Sequence, residues 1–199
     1  MNPTFFPNAD STVVFSLALV ASPSFGPMRI PGDVQVHSGF AETQGSTAEA
    51  VLFAVKAGLQ STGTNKVLVT GHSLGAAIAT MDALMLRQNL DPTVSIRTVV
   101  FGLPRSGNSA FANLIDSQLG SQFTYVTHGK DPVPMMPPRF LGYQHSAGEV
   151  HIPSGGEAGT IACPGQENVN CNEGGNWIIS DHLGLYFAGV EMGRSACPL

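Results

Sequence analysis

The sequence contains few charged residues and no cluster of basic ones. Lys, Arg, Asp and Glu make up 12% of the 199 residues, and the formal net charge is −5. A nucleic-acid-binding surface needs Lys or Arg side chains gathered on one face. The scattered basic residues therefore argue against nucleic acid as a partner. Gly (23 residues) and Pro (14 residues) are plentiful, which predicts long loops.

Cysteine is also scarce, with only Cys163, Cys171 and Cys197. Because there is no C-x-x-C pair, we expect no zinc site. Cys163 and Cys171 flank a polar loop, CPGQENVNC, whose length suits a local disulfide, and Cys197 is left without a partner. A loop disulfide together with few charges favours a secreted protein.

No apolar run is long enough to cross a bilayer as a helix. Residues 12–21, TVVFSLALVA, have about the length of the apolar part of a signal peptide. The segment before them has no Lys or Arg and contains Asp10, which favours a core strand or an apolar surface segment instead.

Alternating strand and helix patterns predict a single α/β domain over residues 1–199 with a mostly parallel sheet. Strands are expected at 34–37, 66–70, 95–101 and 123–127, with an irregular strand or hairpin arm within 143–152. Helices are expected at 46–60 (from an S-x-x-E capping box at Ser46), 74–89, 109–119 and from Asp181 onward.

The stretch KVLVTGHSLGAAIATM, residues 66–81, combines a strand pattern, G-x-S-x-G and a helix pattern. This order is typical of a nucleophile elbow, in which a strained turn presents the serine, here Ser73. Gly71 and Gly75 lack a Cβ, so we expect the helix to pack closely behind the turn. The Leu74 N–H lies at the helix N-terminus, where it can stabilise an oxyanion.

A serine nucleophile needs a base, and the base needs a carboxylate; in this fold plan the chain order is Ser, acid, His. Asp131 follows a strand after Ser73, although Asp before Pro is also common in plain turns. His182 follows a long loop and is the favoured base, with His145 second. His37 and His72 break the order, His128 lies too close to Asp131, and His151 lies in a polar segment.

Several motifs resemble the class 3 lipases, which include fungal triacylglycerol lipases and feruloyl esterases. They are VHSGF (36–40), VTGHSLGAAIAT (69–80), FGLPRSGNSAFA (101–112), THGKDPVPMMPP (127–138), GYQHSAGEV (142–150) and SDHLGLYF (180–187). The resemblance implies an α/β-hydrolase fold, the triad Ser73, Asp131 and His182, and a Cys163–Cys171 disulfide.

Residues 1–30 depart from this family. They match neither its early strands and lid nor its G-T/S-x-P-like segment, which supplies the second oxyanion donor, and the family's N-terminal partner for Cys197 is missing. We therefore expect a truncated or alternatively spliced chain with unpaired sheet edges.

The resemblance implies an extracellular carboxylic-ester hydrolase that acts on acylglycerols or related lipid esters, at an oil–water interface if it is a lipase. Its mechanism needs no metal or organic cofactor. A soluble feruloyl or other carboxylesterase, or a catalytically silent lipid-binding protein, are the alternatives. Loop residues Met135, Met136, Pro137, Phe140 and Leu141 are candidates for the acyl site, although simple loop packing explains each of them too. The sequence does not indicate an oligomeric state.

Overall fold

The computed structural model describes residues 19–21, 27–154, 156–171 and 176–192. Its α-helices are α1 (Ser38–Thr62), α2 (Leu74–Asn89) and α3 (Ser109–Gln118). Its strands are β1 (Leu19–Ala21), β2 (Gln35–His37), β3 (Lys66–His72), β4 (Ser95–Phe101), β5 (Gly107–Asn108), β6 (Phe123–His128), β7 (Tyr143–Gln144), β8 (Glu149–Ile152) and β9 (Ile161–Cys163). Cys197 and most of residues 1–30 lie outside the described residues.

The main sheet has the strand order β3-β4-β6-β8-β9. Its first four strands are parallel, and only β9 runs antiparallel to its neighbour β8. Parallel strands require crossover connections, which contain α2 between β3 and β4 and α3 between β4 and β6. The predicted α/β fold with a mostly parallel sheet is thus confirmed.

A smaller antiparallel sheet has the order β1-β2-β5-β7. Residues 143–152, expected to form one irregular strand or hairpin arm, are divided between the two sheets as β7 and β8. Val36 in β2 pairs with Gly107 in β5, where a Cβ would collide with the Phe111 side chain. The glycine therefore lets α3 pack directly against the small sheet.

Helix α2 contributes more buried residues to the core than either of the other two described α-helices. Its buried positions cover most of its circumference, including Ala76, Ala77, Met81, Leu84 and Met85. The helix packs against α1, β3 and β4, so small residues are needed at the close contacts. This explains why an Ala-rich sequence follows the G-x-S-x-G motif.

Helix α1 begins eight residues before its predicted start, at Ser38 instead of Ser46. The predicted capping box is wrong, because the Ser46 hydroxyl donates to the Thr43 carbonyl inside the helix. The buried face already contains Phe40 and Gln44, one turn apart, so packing favours helix across the whole segment.

The helix predicted from Asp181 onward is also wrong. The chain there forms one 3-10 turn, Ile179–Leu183, and a second short one, Phe187–Gly189. Gly184 (φ 96°) and Gly189 (φ 72°) adopt left-handed backbone conformations that interrupt a right-handed helix.

Strand β3 lies at the edge of the main sheet in the part of the chain that the structure describes. Leu68 on this strand is 67% exposed, and Phe53 on α1 is 75% exposed. The outer backbone hydrogen-bonding groups of such an edge strand are not paired with another described strand. None of the described helices is both long and apolar enough to cross a membrane.

A buried ion pair joins two loops beside the sheet. Arg105 binds both carboxylate oxygens of Glu167, at 2.7 and 2.8 Å, and donates to the carbonyl oxygens of Met135 and Pro137. Glu167 lies between Cys163 and Cys171, which form the expected disulfide. Arg105 therefore fixes the disulfide loop to the loop that follows Asp131.

His145 is buried next to this ion pair. Its Nε2 lies 2.8 Å from the Pro134 carbonyl, and its ring stacks on Tyr125. Burial lowers the pKa of His145 to about 4, and the positive charge of Arg105 acts in the same direction. The folded protein therefore holds this imidazole neutral at a pH where an exposed histidine is protonated.

This difference predicts acid destabilisation that is specific to His145. Unfolded protein binds a proton near pH 6.5, whereas the folded protein does so only near pH 4, so stability present above pH 6.5 is lost as the pH falls towards 4. We expect His145→Gln, whose amide keeps a donor for Pro134, to reduce the loss of unfolding free energy between pH 7 and pH 5 by about 2 kcal/mol.

Urea denaturation at each pH measures the effect. Between pH 7 and 8 the two proteins should change in parallel, because neither state then binds the proton. Equal acid sensitivity of wild type and His145→Gln would contradict the assignment.

Candidate active site

Ser73 occupies a strained turn between β3 and α2. Its backbone has φ 58° and ψ −126°, which is a costly conformation for a residue with a side chain. The turn is held by the Ser73 N–H, which donates to the Phe101 carbonyl at 3.0 Å, and by the Ala76 N–H, which donates to the Ser73 carbonyl. Leu74 is the first residue of α2, so its N–H has no acceptor within the helix.

The two glycines of the motif have different roles. A Cβ at Gly71 would collide with the Gly75 carbonyl group, so the turn can close only with glycine there. A Cβ at Gly75 meets nothing within 4 Å among the described residues. The expectation that both glycines permit close packing therefore holds for Gly71 alone.

Asp131 lies beyond the carboxyl end of β6 and is fully buried. Its Oδ1 accepts the Val133 N–H at 2.8 Å, and its Oδ2 lies 2.9 Å from His182 Nδ1. Parallel strands β3 and β6 end at the same edge of the sheet, which brings Asp131 to the side where Ser73 is located.

His182 connects the carboxylate with the serine. Its Nε2 lies 2.7 Å from Ser73 Oγ, while its Nδ1 faces Asp131. A carboxylate accepts a proton donor, so the hydrogen-bond network assigns the hydrogen to Nδ1. Nε2 is then free to accept the Ser73 hydroxyl proton, which is the arrangement of an activated nucleophile.

The segment that carries His182 is attached to the loop around Asp131 by polar contacts. The Asp181 carboxylate accepts the Lys130 N–H at 2.7 Å, and the Ile178 N–H donates to the Lys130 carbonyl at 3.0 Å. Gly129 has φ 52°, and a Cβ there would collide with the Asp181 carboxylate. Asp181 thus anchors this segment to the loop around Asp131.

Sequence reasoning missed further residues that contact His182, among them Gly102 and His72. Gly102, the first residue after β4, lies against the imidazole ring, since a Cβ there would be 2.9 Å from His182 Cε1. His72 Nε2 lies 2.7 Å from the His182 carbonyl oxygen. The sequence signal for Gly102 was a glycine directly after a parallel strand. His72 was considered only as a base and was rejected because it precedes Ser73 in the chain.

The other histidine considered as a base is not brought to the serine. His145 Nε2 instead faces the Pro134 carbonyl, in a cavity of about 330 Å³. Met135 also lines this cavity, together with the charged residues Arg105, Arg139, Glu149 and Glu167. Phe140 is 86% exposed, and the acyl-site role suggested for these loop residues stays a prediction.

One group of potential metal ligands lies close together within the described residues, namely Glu149, Cys163 and Cys171. The two sulfurs are bonded to each other and offer no thiolate to a metal.

Known proteins similar to this chain are lipases. The chain is 36% identical over 168 residues to the secreted mono- and diacylglycerol lipase LIP4 of Malassezia restricta, an alignment that covers 83% of this chain and 56% of that protein. It is 33% identical to a lipase structure from Rhizopus microsporus var. chinensis, with a TM-score of 0.71 over 81% of this chain and 56% of that one.

A triacylglycerol lipase whose catalytic centre is described as a serine protease triad is 31% identical, with a TM-score of 0.73 over 89% of this chain and 66% of that one. These likenesses confirm the predicted α/β-hydrolase type of the fold. The chain spans about half the length of the curated relatives it matches. Residues 9–141, well over half of the chain, match the family described as lipase (class 3), and the chain therefore belongs to the class 3 lipase family.

Proposed function

We propose that this chain is a serine carboxylic-ester hydrolase acting on acylglycerols or related lipid esters, with Ser73, Asp131 and His182 as its catalytic triad. The observation that carries the proposal is the continuous hydrogen-bonded chain from Ser73 Oγ through both His182 nitrogens to the Asp131 carboxylate. Membership of the class 3 lipase family supports the same reaction. The secreted relatives and the loop disulfide support an extracellular location.

The reaction proceeds through an acyl-enzyme. His182 takes the Ser73 proton at Nε2 while Ser73 Oγ attacks the ester carbonyl carbon, and Asp131 stabilises the resulting imidazolium. The Leu74 N–H donates to the oxyanion of the tetrahedral intermediate. His182 then protonates the leaving alcohol, and a water molecule, deprotonated by the same imidazole, releases the acid.

Large apolar side chains exposed around His182 support a lipid surface as the site of action. They recur along the segment that carries His182 and are Trp177, Ile178, Ile179, Leu183, Leu185, Phe187 and Val190. Leu74, next to the nucleophile, is 51% exposed. Apolar groups in this number favour contact with lipid over contact with water. We therefore propose an oil–water interface as the place of reaction, in preference to a soluble ester.

The triad is tested by Ser73→Ala and Asp131→Asn, assayed on p-nitrophenyl esters of several chain lengths. Each should lower kcat by roughly 10⁴-fold or more, because a triad acts as one unit. His145→Gln, which alters the rival base, should keep kcat within about tenfold of wild type.

A fluorophosphonate probe should label wild type and leave Ser73→Ala unlabelled. Lipid binding without Ser73-dependent turnover or labelling would instead favour the silent alternative.

The space for the His182 ring is tested by Gly102→Ala. The new Cβ would lie 2.9 Å from Cε1 and 3.1 Å from Nδ1, so the imidazole must move. A displacement of this size should lower kcat by about 10²-fold with little change in KM.

Gly120→Ala is the matched control. Gly120 also has a left-handed φ, 49°, but a Cβ there meets nothing within 4 Å among the described residues. Backbone strain alone should therefore leave kcat near the wild-type value; equal losses in both variants would show that the His182 contact is unimportant.

The interface proposal is tested by Ile179→Ser, since Ile179 is 73% exposed in the same 3-10 turn as His182. We expect turnover of an emulsified acylglycerol to fall by about 3- to 10-fold, because less apolar area meets the lipid. Hydrolysis of a soluble short-chain ester should be unchanged.

Phe53→Ser on α1, where Phe53 is 75% exposed, is the matched control and should affect neither substrate. A soluble esterase would show no difference between Ile179→Ser and wild type on either substrate.

A further inference from the structure

The base His182 receives little support from its own secondary structure. It lies in the short 3-10 turn Ile179–Leu183, and Gly184 follows with φ 96°. A turn of this length has few hydrogen bonds of its own to resist rotation of the backbone. The orientation of the imidazole must therefore depend on contacts with distant parts of the chain.

His72 makes one of these contacts from the position directly before the nucleophile. Its Nε2 lies 2.7 Å from the His182 carbonyl oxygen, and the two rings lie 4.5 Å apart with an angle of 33° between them. A carbonyl oxygen can only accept, so His72 Nε2 carries a hydrogen and donates it. Two consecutive residues, at and just after the end of β3, thus act on the base: Ser73 bonds its ring, and His72 bonds its backbone.

We propose that His72 is a positioning residue for His182: its Nε2–H tautomer holds the backbone and ring of the base at a fixed distance from Ser73. This inference rests on the proposed function. His72 is not the base for Ser73, because Ser73 Oγ is hydrogen-bonded to His182 Nε2 instead. The contact joins residues 110 positions apart, so it cannot be replaced by local helix structure.

The surroundings of His72 favour its neutral form. Burial lowers the pKa of His72; the hydrogen bond to the His182 carbonyl acts in the opposite direction without reversing the effect. The charged and titratable groups that face it are the His182 imidazole, which lowers this pKa, and Asp131, which raises it; the Tyr186 ring packs at 6.1 Å. A neutral ring next to His182 does not repel the imidazolium that forms during acyl transfer.

A second donor reaches the same carbonyl oxygen. The Tyr186 hydroxyl lies 3.2 Å from it, and the Tyr186 ring is buried against Phe101. The longer distance makes this the weaker bond of the two. His72 therefore provides the stronger of the two bonds to the carbonyl oxygen of the base, and its loss should be felt in the chemical step.

Two substitutions separate positioning from packing. His72→Phe keeps a ring beside His182 but removes the donor, and should lower kcat by about tenfold while KM stays within about twofold. His72→Gln restores a side-chain N–H and should recover kcat to within about threefold of wild type. Equal kcat values in wild type and His72→Phe, with or without a change in KM, would overturn the proposal.

A measurement that does not depend on activity keeps the inference separate from the proposed function. Nitrogen-15 NMR of the histidine side chains in the wild-type protein should show His72 as the neutral Nε2–H tautomer with slow exchange of that hydrogen. An Nδ1–H tautomer would overturn the inference even if the protein hydrolyses esters. If thermal melting shows that His72→Phe is unfolded, the tautomer of His72 in the wild-type protein alone supports or overturns the positioning role. A protein without esterase activity would refute the proposed function and leave the tautomer result standing.

Discussion

The hydrogen bond between His182 Nε2 and Ser73 Oγ joins two residues that are 109 positions apart in the chain. It forms only when the segment that carries His182 folds back over the carboxyl edge of the main sheet. The strained backbone of Ser73 and the buried carboxylate of Asp131 are both costly by themselves. Each becomes useful only because the imidazole lies between them, so the site depends on this one contact being held to within a fraction of an ångström.

Three parallel strands supply the surroundings of that contact. Strand β3 ends one residue before Ser73, β4 ends one residue before Gly102, and β6 ends three residues before Asp131. Because neighbouring parallel strands end at a common edge, the Ser73 hydroxyl, the space for the His182 ring and the Asp131 carboxylate meet there. His182 is the exception, since it comes from irregular chain and is held by Asp181, Tyr186 and His72.

A charged pair is buried in this molecule, and several large apolar side chains are exposed. Arg105 and Glu167 form a buried, bidentate pair next to the neutral imidazole of His145, whereas large apolar side chains remain exposed around His182. A buried ion pair whose hydrogen bonds are satisfied fixes the positions of the loops that carry it, because separating the two side chains leaves an unpaired charge. The loop that follows Asp131 is thereby fixed, while the surface next to His182 keeps its apolar side chains exposed.

Local pattern alone determined much of this protein: the β3–turn–α2 unit, the parallel strands that follow it, the positions of Ser73 and Asp131, and the Cys163–Cys171 pair. Each depends on short-range periodicity, turn chemistry or spacing, which neighbouring residues carry. The early start of α1, the division of 143–152 between two sheets and the absence of a helix after Asp181 were decided by tertiary packing. So were the contacts of Gly102 and His72 with His182, because contacts between residues far apart in the chain leave no periodic signal in the sequence.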